Sequence, residues 1–143
     1  MEIRLPEDES VDVGRLAGLF QNMNQSYKMF WFKAIVEKVR DGIFVMSHEE
    51  LANSMIADAW YMVLEYRLNL GAGNTKLVEV VKRAGEVSGF KSSEKKKKIL
   101  KFLTETGDRE IIAGRNELVK NVPYRLLRPF MQTGISCVSN RKQ

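Results

Sequence analysis

SYKMFWFKAIVEKV, residues 26–39, is the stretch on which the fold class turns. At helical periodicity its apolar side chains cover most of the circumference. Only Lys28, Lys33, Glu37 and Lys38 break them. A helix that is apolar on nearly every side is stable only when other helices surround it. The expectation is an all-α, single-domain bundle of about six helices around a central hydrophobic helix, residues 27–39 (Tyr27 to Val39).

Working outward, Asp8 or Ser10 can cap a first helix over residues 11–23, and Ser26 can cap the central one. Asp41–Gly42 ends it with a glycine suited to a left-handed cap. Ser47 and Glu50 stand at capping-box spacing, which opens a long helix over residues 48–69. Its expected buried stripe is Leu51, Met55, Ala59, Met62, Val63 and Tyr66, with Trp60 and Tyr61 flanking. Three shorter helices are expected over residues 75–87, 94–106 and 109–120. Ser92 or Ser93 would cap the second of these and Asp108 the third. Pro123 and Pro129 predict an irregular or one-turn helical segment over residues 122–130. Residues 1–10 and 134–143 are expected to be mobile, and residues 1–143 form one domain by length.

The composition, 44% hydrophobic and 29% charged, suits a globular chain rather than a disordered one. No apolar run approaches the roughly 18–20 residues of a membrane span, and the acidic start MEIRLPEDES lacks a signal-peptide pattern. With a single cysteine there is no internal disulfide, so the expected compartment is the cytoplasm. The net charge of +5 is unevenly spread. Residues 1–75 hold 7 Lys/Arg against 11 Asp/Glu, whereas residues 76–143 hold 16 against 7. A basic half of this kind suits a polyanion or an acidic protein partner, or faces a continuation of the same protein.

Catalytic chemistry finds little support. The one histidine, His48, falls in the first turn of a helix beside Glu49 and Glu50, and adjacent helix residues do not share a face. Cys137 has no base near it in sequence. One histidine and one cysteine exclude the usual four-ligand zinc sites. Residues 71–76, GAGNTK, lack the spacing and the preceding strand of a phosphate loop. The chain therefore reads as non-catalytic, with no metal and no cofactor.

Lys95, Lys96, Lys97 and Lys98, with Lys91 and Lys101, make the densest charge run. Lys97, Lys98 and Lys101 project opposite Ile99, Leu100 and Leu103. Lys95 and Lys96 lie in a first helical turn, where the helix dipole disfavours cations by about a few tenths of a kcal/mol. That placement suits a phosphate held jointly by lysines and backbone N–H groups. A solvated face that keeps the protein in solution is the alternative. Arg109, Arg115, Lys120, Arg125 and Arg128 add positive charge downstream. The aromatic residues, Tyr61 and Tyr66 among them, stand at core spacing, so they are expected in the interior rather than under nucleic-acid bases.

Three stretches carry a family resemblance: NQSYKMFWFKAI at residues 24–35, ADAWYMV at 57–63 and NVPYRLLRPF at 121–130. In this order and at these intervals they resemble the N-terminal helical region of bacterial HNH-endonuclease-type proteins. There a "SYKFYWF"-like helix and a "VPYRFLSPF"-like segment precede the nuclease motif. Residues 135–143 do not resemble the continuation of that family, so no catalytic residue carries over. The resemblance implies an accessory helical module that contacts DNA or docks a separate nuclease part. Tyr27, Phe30, Trp31 and Trp60 would form its core. Arg125 and Arg128 would face a partner, since a guanidinium suits phosphate or carboxylate forks.

Overall fold

Six helices follow one another along the described residues: α1 (Val13–Gly18), α2 (Tyr27–Arg40), α3 (His48–Leu64), α4 (Lys76–Ser88), α5 (Lys96–Glu105) and α6 (Arg109–Met131). The computed structural model describes residues 9–10, 12–18, 26–73 and 75–131, the side chains of Leu16 and of residues 123–131 excepted. No β-strand occurs among them. The all-α bundle is as expected. The expected mobile ends fall almost wholly outside the described residues, as does the expected extension of the first helix beyond residue 18.

Local chemistry starts and stops these helices. Ser47 Oγ accepts from the Glu50 N–H at 3.1 Å while Glu50 Oε2 accepts from the Ser47 N–H at 2.8 Å. This closes the predicted capping box at α3. Thr75 caps α4 through Val78 N–H. Asp108 Oδ1 accepts from the N–H groups of Glu110 and Ile111 at the start of α6. At the end of α2, Gly42 takes φ 78°, and the N–H groups of Gly42 and Ile43 bond back to Val39 and Lys38 carbonyls. That pair of bonds is the Schellman motif, which needs a left-handed residue at Gly42.

The centre of the bundle is not where the sequence reading put it. Only Phe30, Trp31 and Ala34 of α2 are buried, while Met29, Val36 and Val39 are exposed. The central element is α3, which touches α2, α4, α5 and α6. Residues 51–57 of α3 are buried without interruption, and Ala59, Trp60 and Val63 join them. The physical reason lies in side-chain size. Ala52, Asn53, Ser54, Ala57 and Ala59 let neighbouring helices approach α3 from several sides, whereas the bulky α2 is covered along one stripe only.

Other boundaries also differ. α3 stops at Leu64, five residues short of the expected end, because the chain turns back at Arg67 and Leu70, both with positive φ (53° and 46°). This turn delivers the Leu70 carbonyl to the N–H of Ser26 at 3.0 Å. Ser26 itself is helical and makes no side-chain cap. α5 begins at Lys96, with Lys95 at the cap position and no capping side chain. Ser92 instead donates to Glu65. α6 runs unbroken through Pro123 and Pro129. A proline in a helix removes one backbone hydrogen bond. Here the buried stripe Ile111, Gly114, Arg115, Leu118 and Val122 holds the helix in place up to the residue before Pro123.

Two close contacts lock α6. A Cβ built on Gly114 would stand 2.2 Å from Val80 Cγ2, so α4 and α6 meet at a point with no room for a side chain. Next to it, Arg115 is only 7% exposed. It donates to the Leu103 carbonyl at 2.9 Å and to Asn53 Oδ1 at 3.4 Å, and pairs with Glu49 at 2.9 Å. Arg115 was expected to add to the basic surface. It is instead an internal strut between α3, α5 and α6.

Candidate nucleic-acid interface

The lysine-rich segment crosses the surface of α3. Trp60, fully buried, donates its indole N–H to the Lys91 carbonyl at 3.1 Å. Ser92 bonds to Glu65, and Lys96 reaches Asp58. Three contacts thus spread along about two turns of α3 fix the backbone from residue 91 into the first turn of α5. Ile99 and Leu103 then anchor α5 from below.

With the backbone fixed, the six lysines divide. Lys96 Nζ sits 2.6 Å from Glu37 Oε2 and 2.7 Å from Asp58 Oδ1. Lys33 Nζ binds the same two carboxylates, at 2.6 and 2.8 Å. Burial alone would raise the Glu37 pKa. The hydrogen bonds and charges of Lys33 and Lys96 outweigh that and hold it at about 2. Burial likewise would lower Lys33, but its bonds to Asp58 and Glu37 leave it above its ordinary value. Lys96 therefore belongs to a clamp joining α2, α3 and α5 and is not free to meet a phosphate. Lys98 pairs with Glu94 at 2.9 Å and lies 4.5 Å over the Phe90 ring. Its hydrogen bond is the main reason the Glu94 carboxyl sits below the usual range.

Lys91, Lys95, Lys97 and Lys101 remain. All four are exposed, and none forms an ion pair among the described residues. Lys97 and Lys101 are one turn apart on the outer face of α5. Lys91 and Lys95 lead into it. Arg109 and Lys120 are exposed on α6. Arg125 and Arg128 lie on α6 beyond the described side chains, so their surroundings fall outside what the structure describes.

The aromatic residues also divide. Phe30, Trp31 and Trp60 are interior as expected. Tyr61 and Tyr66 are not: they are 45% and 64% exposed, with ring centroids 5.4 Å apart in an edge-on arrangement. The hydrogen bond with Tyr66 is the largest influence raising the Tyr61 phenol pKa. Sequence reading missed this pair because it extended α3 to residue 69, which carried Tyr66 along the buried stripe. The break after Leu64 swings it out to solvent.

His48 is exposed in the first turn of α3, with its ring 5.9 Å from that of Trp31. Among the described residues there is no group of three or more potential metal ligands. None of their helices is long and apolar enough to cross a membrane.

Fold and surface together define a six-helix all-α bundle with a basic edge. Compared with protein-family models, curated proteins and solved structures, the chain matches none.

Proposed function

We propose that this chain is a non-catalytic helical module that contacts nucleic-acid phosphates. Lys91, Lys95, Lys97 and Lys101 make the contact, with Arg125 and Arg128 as further phosphate-binding residues. The observation that carries the reading is the division of the lysines. Lys96 and Lys98 are engaged in ion pairs, while the other four stand exposed outside any ion pair among the described residues. The mechanism is phosphate neutralisation with counterion release, not base-edge reading. The likeness of three segments to the front end of HNH-type endonucleases supports a place beside a nuclease, with the chemistry supplied by a separate part, and a cytoplasmic setting fits that role.

Anisotropy of a labelled oligonucleotide at low salt tests this. Binding that weakens in Lys97→Glu/Lys101→Glu at unchanged stability supports it. Absence of binding to both duplex and single strand removes it.

A second reading, a protein-docking module, is favoured by one observation. Phe44 and Val45 are 77% and 91% exposed in the α2–α3 connection, next to exposed Ile43 and Val39. Adjacent apolar residues this open suit a protein partner. Phe44→Ser/Val45→Ser would abolish that contact and leave nucleic-acid affinity intact.

A further inference from the structure

Tyr61 and Tyr66 stand at the corner where the lysine segment crosses α3. Tyr61 follows Trp60, whose indole holds the Lys91 carbonyl. Tyr66 follows Glu65, which holds the Ser92 hydroxyl. Tyr61 and Glu65 lie one turn apart on one side of α3, so the Ser92–Glu65 bond brings the start of the lysine segment, at Lys91, to the aromatic pair, with Lys95 four residues further on. Of the carboxylates at this corner Glu94 is paired with Lys98, while Glu65, bonded to the neutral Ser92 hydroxyl, and Glu86 in the groove keep their charge. Lys82, Lys91, Lys95 and Arg67, all exposed, outnumber these two. Arg67 is exposed next to Tyr66, with positive φ. A non-glycine residue held in that region often marks a functional constraint. One turn from Tyr61, at Leu64, an open groove of about 420 Å³ begins, with Leu64 and Phe90 as apolar wall and Lys82 and Ser92 among its polar lining.

We infer that this corner is a stacking platform for single-stranded nucleic acid: bases lie on Tyr66 and Tyr61 while Lys91, Lys95 and Arg67 hold the flanking phosphates. This deepens the phosphate-contact reading and rests on it. A duplex keeps its bases stacked inside and presents only phosphates and groove edges. Exposed aromatic faces beside cations therefore discriminate in favour of the unpaired strand, and with little sequence preference, since every base has a π-face. The remaining surface candidates fit less well. The groove between α4 and α6 is lined by Lys76, Arg83, Glu79, Glu110 and Glu117, whose cations are taken up in ion pairs with a surplus of carboxylates. Nothing in the structure shows what covers the apolar connection at Phe44.

The test uses the whole chain with labelled (dT)20, (rU)20, an abasic strand of equal length and a duplex. Tyr66→Ala and Tyr61→Ala are expected to lower affinity for the base-bearing single strand by roughly 5- to 150-fold each, the range for loss of one aromatic–base stack. Duplex and abasic affinities should not change. Tyr66→Phe keeps the ring and should bind as the unaltered chain does. Both tyrosines are exposed, and circular dichroism checks that the variants fold. If both alanine variants bind (dT)20 and (rU)20 as tightly as the unaltered chain, while Lys97→Glu/Lys101→Glu loses binding, stacking is overturned and phosphate contact stands. If the unaltered chain binds none of the four, both readings fall.

Discussion

Lys96 and Asp58 are 38 residues apart in sequence, yet Lys96 Nζ stands 2.7 Å from Asp58 Oδ1, whose side chain is 7% exposed. This pair ties the first turn of α5 to the central helix and separates a structural lysine from its functional neighbours. Lys33 shares the same carboxylate, so Lys96→Ala leaves Asp58 still paired. We expect a loss of about 1 kcal/mol for that substitution. Lys33→Ala/Lys96→Ala would strand a buried carboxylate and cost about 3–5 kcal/mol. Urea unfolding followed by tryptophan emission reads both. A Lys96→Ala protein of full stability but with weaker nucleic-acid binding than Lys97→Ala would contradict the division of the lysines.

The same cluster sets a pH dependence. Glu37 has an ordinary value of 4.5 and lies at about 2 in the fold. Glu50, bonded mainly by the Ser47 backbone, and Asp108, bonded mainly by Arg83, are lowered too. A carboxyl lowered by folding contributes stability that is complete above its ordinary value and lost as pH falls toward the folded value. Lys33 is raised, so its contribution is present below 10.5 and lost as pH rises through its folded value. Unfolding midpoints in urea should therefore be level near neutrality and fall between pH 4.5 and 2. Glu37→Gln should flatten part of that acid limb.

Gly114 faces Val80 Cγ2 at a distance that leaves no space for a methyl group. Gly114→Ala should destabilise the protein by about 1–3 kcal/mol through forced separation of α4 and α6. Trimming the opposing side chain relieves the clash, so Gly114→Ala/Val80→Ala should lose less than the sum of its two single substitutions. Chemical denaturation of all four proteins closes the cycle. Strict additivity would show that the helices do not meet there.

Arg115 supplies the third strut. Removing it leaves the Leu103 carbonyl and Asn53 without their partner, while Glu49, being 56% exposed, can turn to water. Arg115→Ala adds a cavity to the lost hydrogen bonds and should cost about 2–4 kcal/mol. Arg115→Met keeps most of the volume and should cost less. Neither substitution should change nucleic-acid affinity once the protein is folded, which anisotropy at a stabilising temperature would check.

How far sequence reading reached depends on the range of the interaction. Capping at Ser47, Thr75 and Asp108 and the glycine turn at Gly42 are local chemistry, and each start or stop that they specify falls within a residue or two of its expected place. Hydrophobic bulk points to α2 as the central helix, whereas the bundle is centred on α3. Bulk marks a helix with much to bury, but small residues mark one that several neighbours can approach, and the run from Ala52 to Ala59 carries that signal. α6 continues through Pro123 because tertiary contacts up to Val122 override a local breaker.

The lysine run shows the same limit. Its composition announces a basic edge, but partners at Glu37 and Asp58, 59 and 38 residues away, decide that Lys96 is internal. Charge counting treats Lys95, Lys96 and Lys97 alike; only the fold distinguishes them. The exposure of Tyr61 and Tyr66 likewise depends on where α3 ends, which two left-handed residues with no glycine signal determine.

The salt dependence of oligonucleotide binding tests the central claim most directly. Four lysines neutralising phosphates of a single strand contribute roughly −3 to the log–log slope, about −0.7 per phosphate. In a protein with Lys91, Lys95, Lys97 and Lys101 all changed to Gln, the slope should lose that contribution, keeping only the share of Arg67, Arg125 and Arg128, and affinity should drop at every salt concentration. A slope near zero for the unaltered chain, or an equal slope and affinity in the fourfold variant, would contradict a phosphate interface on these residues.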